Sequence, residues 1–279
     1  MTRPTILMLG HGYSAAALAA RLPGWQVLGT TRSPGPLARE AEVQALRWSD
    51  AGAVEAAIAG AEAILVSIPP ADGGDPALRR YGAALARSPA RWVGYLSATA
   101  VYGDRQGGWV DEDGALEPVN ARSRWRVAAE RAWLATGLPV MLFRLAGIYG
   151  PGRSALDRLR EGRAHRIVKE GQVFSRIHVD DIAAVLGAAM ARGRPGRAYN
   201  VADDAPTPPE EVVVFAAALL GLRPPPAIPF AEAGLSPMAR SFYAESKRVA
   251  NRRIRDELGV ALAYPSYREG LRAILAAGG

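Results

Sequence analysis

Short runs that are apolar nearly throughout recur along the first half of the chain, at residues 5–9, 25–29, 63–67, 92–96 and 140–145. Such runs predict strands of a parallel sheet buried on both faces, because a half-exposed strand would alternate apolar with polar positions. Stretches rich in alanine, leucine and arginine at 13–22, 35–42, 51–59, 75–88 and 121–136 lie between or beside these runs and have the length of crossover helices. The repeated βαβ order predicts an α/β fold, a Rossmann-type doubly wound parallel sheet. Beyond about residue 150 the alternation loosens into turns rich in glycine and proline, with a helix over 180–191, a strand over 198–201 and a helix over 209–220. Residues 1–150 are therefore expected to form the core. Residues 151–279 form a smaller mixed lobe, with about 176–201 returning to the core. The run 222–229 carries Pro224, Pro225, Pro226 and Pro229, which remove backbone donors and exclude a helix, so it is expected to lead into a mobile flap.

Composition narrows the chemistry. A length of 279 residues fits one doubly wound domain with an appended lobe. There is no cysteine, which removes disulfides, thiolate catalysis and cysteine-ligated metals, and only His11, His165 and His178 offer imidazole. No metal centre is expected. Residues 1–9 lack the length and cleavage site of a secretory signal, and no apolar stretch reaches about 18 residues, so a soluble cytoplasmic protein without a membrane partner is expected. The net charge is +7, yet only Lys169 and Lys247 among the 34 basic residues are lysines, and the arginines are spread along the whole chain. That distribution reads as a codon preference, and a nucleic-acid partner is not favoured.

The strongest local signal joins the first strand to the first helix. Gly10-His11-Gly12-Tyr13-Ser14-Ala15 gives G-x-G-x-x-A between a strand and a helix, where a dinucleotide fingerprint must stand. Gly10 permits the tight turn, Gly12 lets a diphosphate approach the backbone, and Ala15 keeps helix and strand close while the helix amides face the anion. The second strand leads into Thr31, Arg32 and Ser33, where an NAD enzyme would place an acidic residue on the ribose hydroxyls. Arg32 suits a 2′-phosphate instead, with Thr31 and Ser33 as neutral donors, so NADP is expected over NAD. Asp50 either accepts from the adenine amino group or caps the next helix. Ser67, Ile68 and Pro69 stand at the carboxyl end of the run 63–67, at the sheet end where ligands bind in such folds.

Several further segments occur in order: Ser97-Ala98-Thr99-Ala100-Val101-Tyr102-Gly103, Arg144-Leu-Ala-Gly147-Ile-Tyr149-Gly-Pro-Gly-Arg153, Arg176-Ile-His178-Val-Asp180-Asp181, and Tyr199-Asn200-Val201-Ala-Asp203. With the glycine turn they make the chain resemble the extended short-chain dehydrogenase/reductase superfamily of the epimerase/dehydratase type, from about residue 5 to 275. Ser246-Lys247-Arg248-Val249-Ala250-Asn251 and 264–270 are similar to its atypical YeeZ-type branch. The resemblance implies a catalytic Ser or Thr where Ala98 stands, with Ser97 and Thr99 on either side. Counting back from Glu130, it implies a catalytic tyrosine where Arg122 stands and a lysine where Arg126 stands. Lysine is absent from residues 1–168, so no small shift of alignment restores the Tyr-x-x-x-Lys pair.

A guanidinium hardly gives up a proton, so Arg126 can keep a ribose contact while the tyrosine's proton transfer is lost. Arg122, one turn earlier, either clamps a carboxylate or phosphate together with Arg126 or stands solvated beside Arg124. The catalytic candidates are Ser97, Thr99, Tyr102, Arg122 and Arg126; Gly147 and Tyr149 join Arg126 and the turns above as cofactor candidates. Tyr102 either titrates or anchors its loop, and His178 and Asp180 are expected to bond backbone and cap a helix. Two functions compete: an NADP-dependent oxidoreductase or epimerase acting on a small anionic substrate, and a non-catalytic NADP-binding regulatory module. RNA binding, as in some chloroplast relatives, is less favoured, because the aromatic residues sit in strand and helix patterns. A homodimer through the helices at 75–88 and 121–136 is implied by analogy alone.

Overall fold

A computed structural model describes residues 3–32 and 43–278. In chain order the first half comprises β1 (Thr5–Leu9), α1 (Tyr13–Ala19), β2 (Gln26–Thr31), β3 (Val43–Arg47), α2 (Ala51–Gly60), β4 (Ala63–Val66), α3 (Pro76–Leu85), β5 (Trp92–Ala98), β6 (Trp109–Val110), α4 (Ala121–Leu134) and β7 (Val140–Leu145). The second half comprises β8 (Gly147–Tyr149), α5 (Ala155–Arg160), β9 (Arg166–Val168), β10 (Arg176–His178), α6 (Val179–Arg192), β11 (Ala198–Val201), α7 (Pro209–Leu219), β12 (Ala227–Pro229), α8 (Pro237–Phe242), β13 (Arg248–Val249), α9 (Arg252–Asp256) and α10 (Tyr267–Ala276).

Seven strands form one parallel sheet in the order β11-β7-β5-β4-β1-β2-β3. The chain winds outward first through β2 and β3, then in the other direction through β4, so the switch point lies between β1 and β4, beside the glycine turn. Pleating explains the unbroken apolar runs. Ile6, Met8 and Leu65 point to the side covered by α1 and α6, whereas Leu7, Leu9, Ile64 and Val66 point to the side covered by α2, α3 and α4. Pairing β11 with β7 returns residues 198–201 to the core sheet, while β10 pairs with β8 outside it. The lobe has its own small core of Leu156, Val212, Ala216, Tyr267, Leu271 and Ile274, against which Tyr149 packs.

The proline run is not helical, and its end pairs as β12 with β9. The helix expected over 35–42 lies outside the described residues. None of the helices among the described residues is long and apolar enough to cross a membrane.

Candidate active site

The turn after β1 is held in a conformation that only glycine adopts without strain. Gly10 has φ +90°, and a Cβ there would stand 2.8 Å from Cγ1 of Ile68 and 3.0 Å from Oγ of Ser67. Its amide donates to Oγ1 of Thr30 at 2.7 Å, and the amide of His11 donates to the Thr30 carbonyl at 2.9 Å. Ser67 donates to the Gly10 carbonyl, and with Ile68 it packs the end of β4 beneath the turn. Gly12 precedes α1 without a side-chain cap, and among the described residues nothing lies within 4 Å of where its Cβ would be. Gly12 is exposed at the start of α1, while Ser14 and Ala15 are buried against the core.

Tyr13 leaves this turn towards the lobe. Its hydroxyl donates to the Pro151 carbonyl at 2.9 Å, the Arg153 guanidinium lies 5.9 Å from its ring, and burial pushes its phenol up to about 12. At the end of β2, Thr31 is half-buried and Arg32 exposed; Ser33 lies outside the described residues. Asp50 caps α2, accepting from the amide of Ala53 at 3.1 Å, which is one of its two expected roles.

Beyond Tyr13 opens a cavity of about 720 Å³ between the carboxyl ends of β5 and β7 and the lobe. Thr99, Arg122, Arg126, Gly147 and Tyr149 line it together, so five of the expected site residues converge. Arg126 is fixed from behind, donating to the Leu96 carbonyl at 2.8 Å. The wall also carries Arg153, Arg158, Arg163, Arg176 and Lys247, against the carboxylates of Asp157, Glu161 and Glu245. These lobe residues were not singled out in sequence, although Arg153, Arg176 and Lys247 stand within the segments that carry the family resemblance.

Ser97 and Tyr102 are not brought to this cavity. The Ser97 hydroxyl donates to Glu130, whose carboxylate accepts from the Arg144 guanidinium at 2.9 Å and 3.3 Å. The Tyr102 hydroxyl donates to Oδ1 of Asn200 at 2.6 Å and accepts from Arg144 at 2.9 Å, and burial raises it to about 12 although Arg144 opposes this. Arg144 also donates to the Glu112 carbonyl at 3.1 Å, and Glu112 accepts from the Asn200 amide at 2.9 Å. All these groups are buried. The catalytic expectation for Ser97 and Tyr102 is corrected accordingly: their hydroxyls are spent on a closed network joining α4, β7 and β11, and Tyr102 takes the anchoring role.

In the cavity wall, Arg176 donates to the carbonyls of Phe174 and Thr207 at 2.9 Å and 3.1 Å. Nearby Asp203 is 1% exposed, and burial raises its carboxyl to about 7 against the pull of backbone donors and Arg176. A raised folded-state value means that stability from this group is fully present below its ordinary 3.8 and is lost as pH rises through about 7. Asp203→Asn is therefore expected to flatten the fall in stability across that window, about 1.4 kcal/mol per unit at most, in urea titrations repeated from acid to neutral pH.

At the start of α6 the cap differs from expectation. His178, not Asp180, caps the helix, its Nδ1 accepting from the Asp180 amide at 3.2 Å. Asp181 instead fastens the 263–264 segment, accepting from the amides of Ala263 and Tyr264 at 2.8 Å and 3.0 Å. Rings of Tyr149 and Tyr264 flank His178, which leaves it a packed, structural imidazole.

Residues 77–202 match the model of the NAD dependent epimerase/dehydratase family. A putative NAD-dependent epimerase/dehydratase from Methylobacillus flagellatus has a solved structure that is 26% identical, with a TM-score of 0.75 over 99% of both chains. The chain belongs to the extended short-chain dehydrogenase/reductase superfamily. Protein YeeZ of Escherichia coli K12 is 29% identical, aligned over 93% of this chain and 96% of its own. A functionally unknown conserved protein from Silicibacter pomeroyi is 52% identical, with a TM-score of 0.94 over 98% of this chain and 99% of that one. Tyr13 ties the glycine turn to the loop that carries Gly152 and Arg153 of the cavity wall, through its bond to the Pro151 carbonyl.

Proposed function

We propose that the protein binds NADP along the carboxyl ends of β1, β2 and β4 and acts as an oxidoreductase or epimerase on a small anionic substrate in the cavity. The observation that carries this reading is the union of an open glycine turn with a 720 Å³ cavity whose lining holds seven basic side chains and three acidic ones. The match to an NAD dependent family supports a nicotinamide dinucleotide. The chain's own residues fit one: Gly10 and Gly12 leave room for a diphosphate at the start of α1, and Ser67 and Ile68 close the turn from below. Arg32 favours the 2′-phosphorylated form, since its exposed guanidinium can meet a phosphate with paired charge-assisted hydrogen bonds. When bound, such a cofactor supplies hydride chemistry at its nicotinamide.

Within the cavity, Arg126 and Arg122 stand one turn apart on α4 and can clamp a carboxylate or phosphate. Arg32→Ala is expected to weaken NADPH binding about 10- to 100-fold while leaving NADH unchanged, as the loss of charge-assisted hydrogen bonds implies. Isothermal titration of both dinucleotides checks this, and equal weakening of the two would remove the 2′-phosphate assignment.

A non-catalytic NADP-binding module is the second reading. Its support is the commitment of the Ser97 and Tyr102 hydroxyls to buried partners and the presence of arginines where the family resemblance expects tyrosine and lysine. Consumption of NADPH with any carbonyl substrate would decide against it. As for assembly, a homodimer through α3 and α4 would bring together the exposed Arg79, Arg80, Arg124 and Arg131 of both copies. Light scattering is accordingly expected to find more dimer at high salt than at low salt, where like charges are unscreened.

A further inference from the structure

If the cavity is a reductase site, it needs a group that can part with a proton, and most of its wall cannot. Arginine does not deprotonate in proteins, which removes Arg122, Arg126, Arg153, Arg158, Arg163 and Arg176. Tyr149 donates to the Ser266 carbonyl at 3.3 Å, and burial moves its phenol further from neutrality. Ser97 and Tyr102 face elsewhere, as described above. One basic side chain of the lining is different. Lys247 is one of only two lysines in a chain with 34 basic residues, it is 8% exposed, and it lines the cavity.

Its surroundings place it beside the amino end of α4. The Lys247 ammonium donates to Oε2 of Glu245 at 2.5 Å, and Glu245 is equally buried and also lines the cavity. Oε1 of Glu245 accepts from Nδ2 of Asn120 at 3.4 Å, and Asn120 caps α4 through the Ser123 amide at 3.0 Å. The pair therefore sits at the amino end of the helix that carries Arg122, the position where the family resemblance expects the tyrosine. An ammonium can give up a proton where a guanidinium cannot, and a carboxylate beside it holds it in place.

Resting on the reductase reading above, we propose that Lys247 is the proton donor of this cavity, positioned by Glu245, in place of the absent tyrosine. In a carbonyl reduction the hydride is the dihydronicotinamide's contribution. The proton is this chain's: one N–H bond of the Lys247 ammonium breaks as an O–H bond forms on the substrate's developing alkoxide. The neutral amine then regains its proton from water at the cavity mouth.

The full-length protein with only two lysines allows a direct test with trinitrobenzenesulfonate, an anionic reagent that attacks neutral amines, followed by peptide mapping. At alkaline pH, where lysine amines are neutral, Lys247 is expected to be labelled in the folded protein, because its nitrogen opens to the cavity. Lys247→Arg keeps the charge and the contact with Glu245. It is expected to bind NADPH within about twofold of the unaltered protein yet to lower carbonyl turnover about 100-fold or more, the usual contribution of a general acid. Two results would overturn the proposal: Lys247 unlabelled in the folded chain but labelled after unfolding, or Lys247→Arg turning over within about threefold of the parent; an unlabelled parent that oxidises no NADPH with any carbonyl offered removes the reductase reading and the proposal with it. A protein that does not bind NADPH at all would instead remove the reading on which the proposal rests, and calorimetry separates the two.

Discussion

Glu130→Ala is expected to lower the unfolding free energy by about 3–5 kcal/mol, because it strands the Arg144 guanidinium in the protein interior without its counter-charge. Arg144 is 5% exposed and Glu130 2% exposed, so water cannot take over the lost contacts. Burial alone would pull the Arg144 guanidinium down, yet the Glu130 carboxylate beside it holds it above its ordinary value. The same substitution removes the acceptor of the Ser97 hydroxyl. A typical domain has only about 5–15 kcal/mol in hand, so a loss of this size should be plain in urea unfolding as a lower midpoint with an unchanged slope. Replacing both partners with apolar residues, Glu130→Leu with Arg144→Met, should cost much less than the single change, since no buried charge is then left unpaired. Equal losses in the single and double variants would mean that the network packs but does not pair.

Gly10→Val is expected to abolish dinucleotide binding and to destabilise the fold at the same time. A left-handed conformation costs a side-chain-bearing residue about 1–2 kcal/mol, more when it is β-branched, and the added Cβ would meet Ile68 at 2.8 Å. Relieving that contact must push the β4 turn outward, breaking the hydrogen bond from Ser67 to the Gly10 carbonyl. The loss should exceed 100-fold in NADPH affinity by calorimetry, with a lower thermal midpoint. By contrast, Gly12→Ala meets no neighbour among the described residues and should leave stability nearly unchanged while weakening the ligand, because the space it fills is where the diphosphate would approach. If Gly12→Ala binds NADPH normally, the diphosphate lies elsewhere.

The sheet was legible because its signal is local. The run 140–145 coincides with β7, and the fingerprint turn has the backbone that its glycines imply, since each pattern is set by neighbours in sequence. Strand ends shifted by a residue or two, as at β2, which begins at Gln26 and runs on to Thr31, because pairing with β1 and β3 extends it beyond its apolar stretch. The small strand pairs β6 with β13 and β9 with β12 carry no such pattern, being two or three residues long and joined to partners far along the chain.

Side-chain partners were the harder part. The hydroxyls of Ser97 and Tyr102 sit in a recognisable segment, but their acceptors Glu130 and Asn200 lie 33 and 98 residues away, so nothing local tells a free hydroxyl from a committed one. Lys247 shows the same limit in reverse. Its rarity was visible in the sequence, whereas its place in the cavity depends on β13 meeting β6 and on Glu245 reaching Asn120. The exchange of His178 for Asp180 as the cap of α6 turned on which neighbouring side chain reaches the Asp180 amide, a choice that residue type alone does not make.

Titration of the purified full-length protein with NADPH and with NADH, side by side in a calorimeter at one salt concentration, tests the central claim most directly. NADPH is expected to bind with one site per chain and at least about tenfold more tightly than NADH, the preference that a charge-assisted contact to the 2′-phosphate confers. No heat with NADPH, or a clear preference for NADH, would contradict the account.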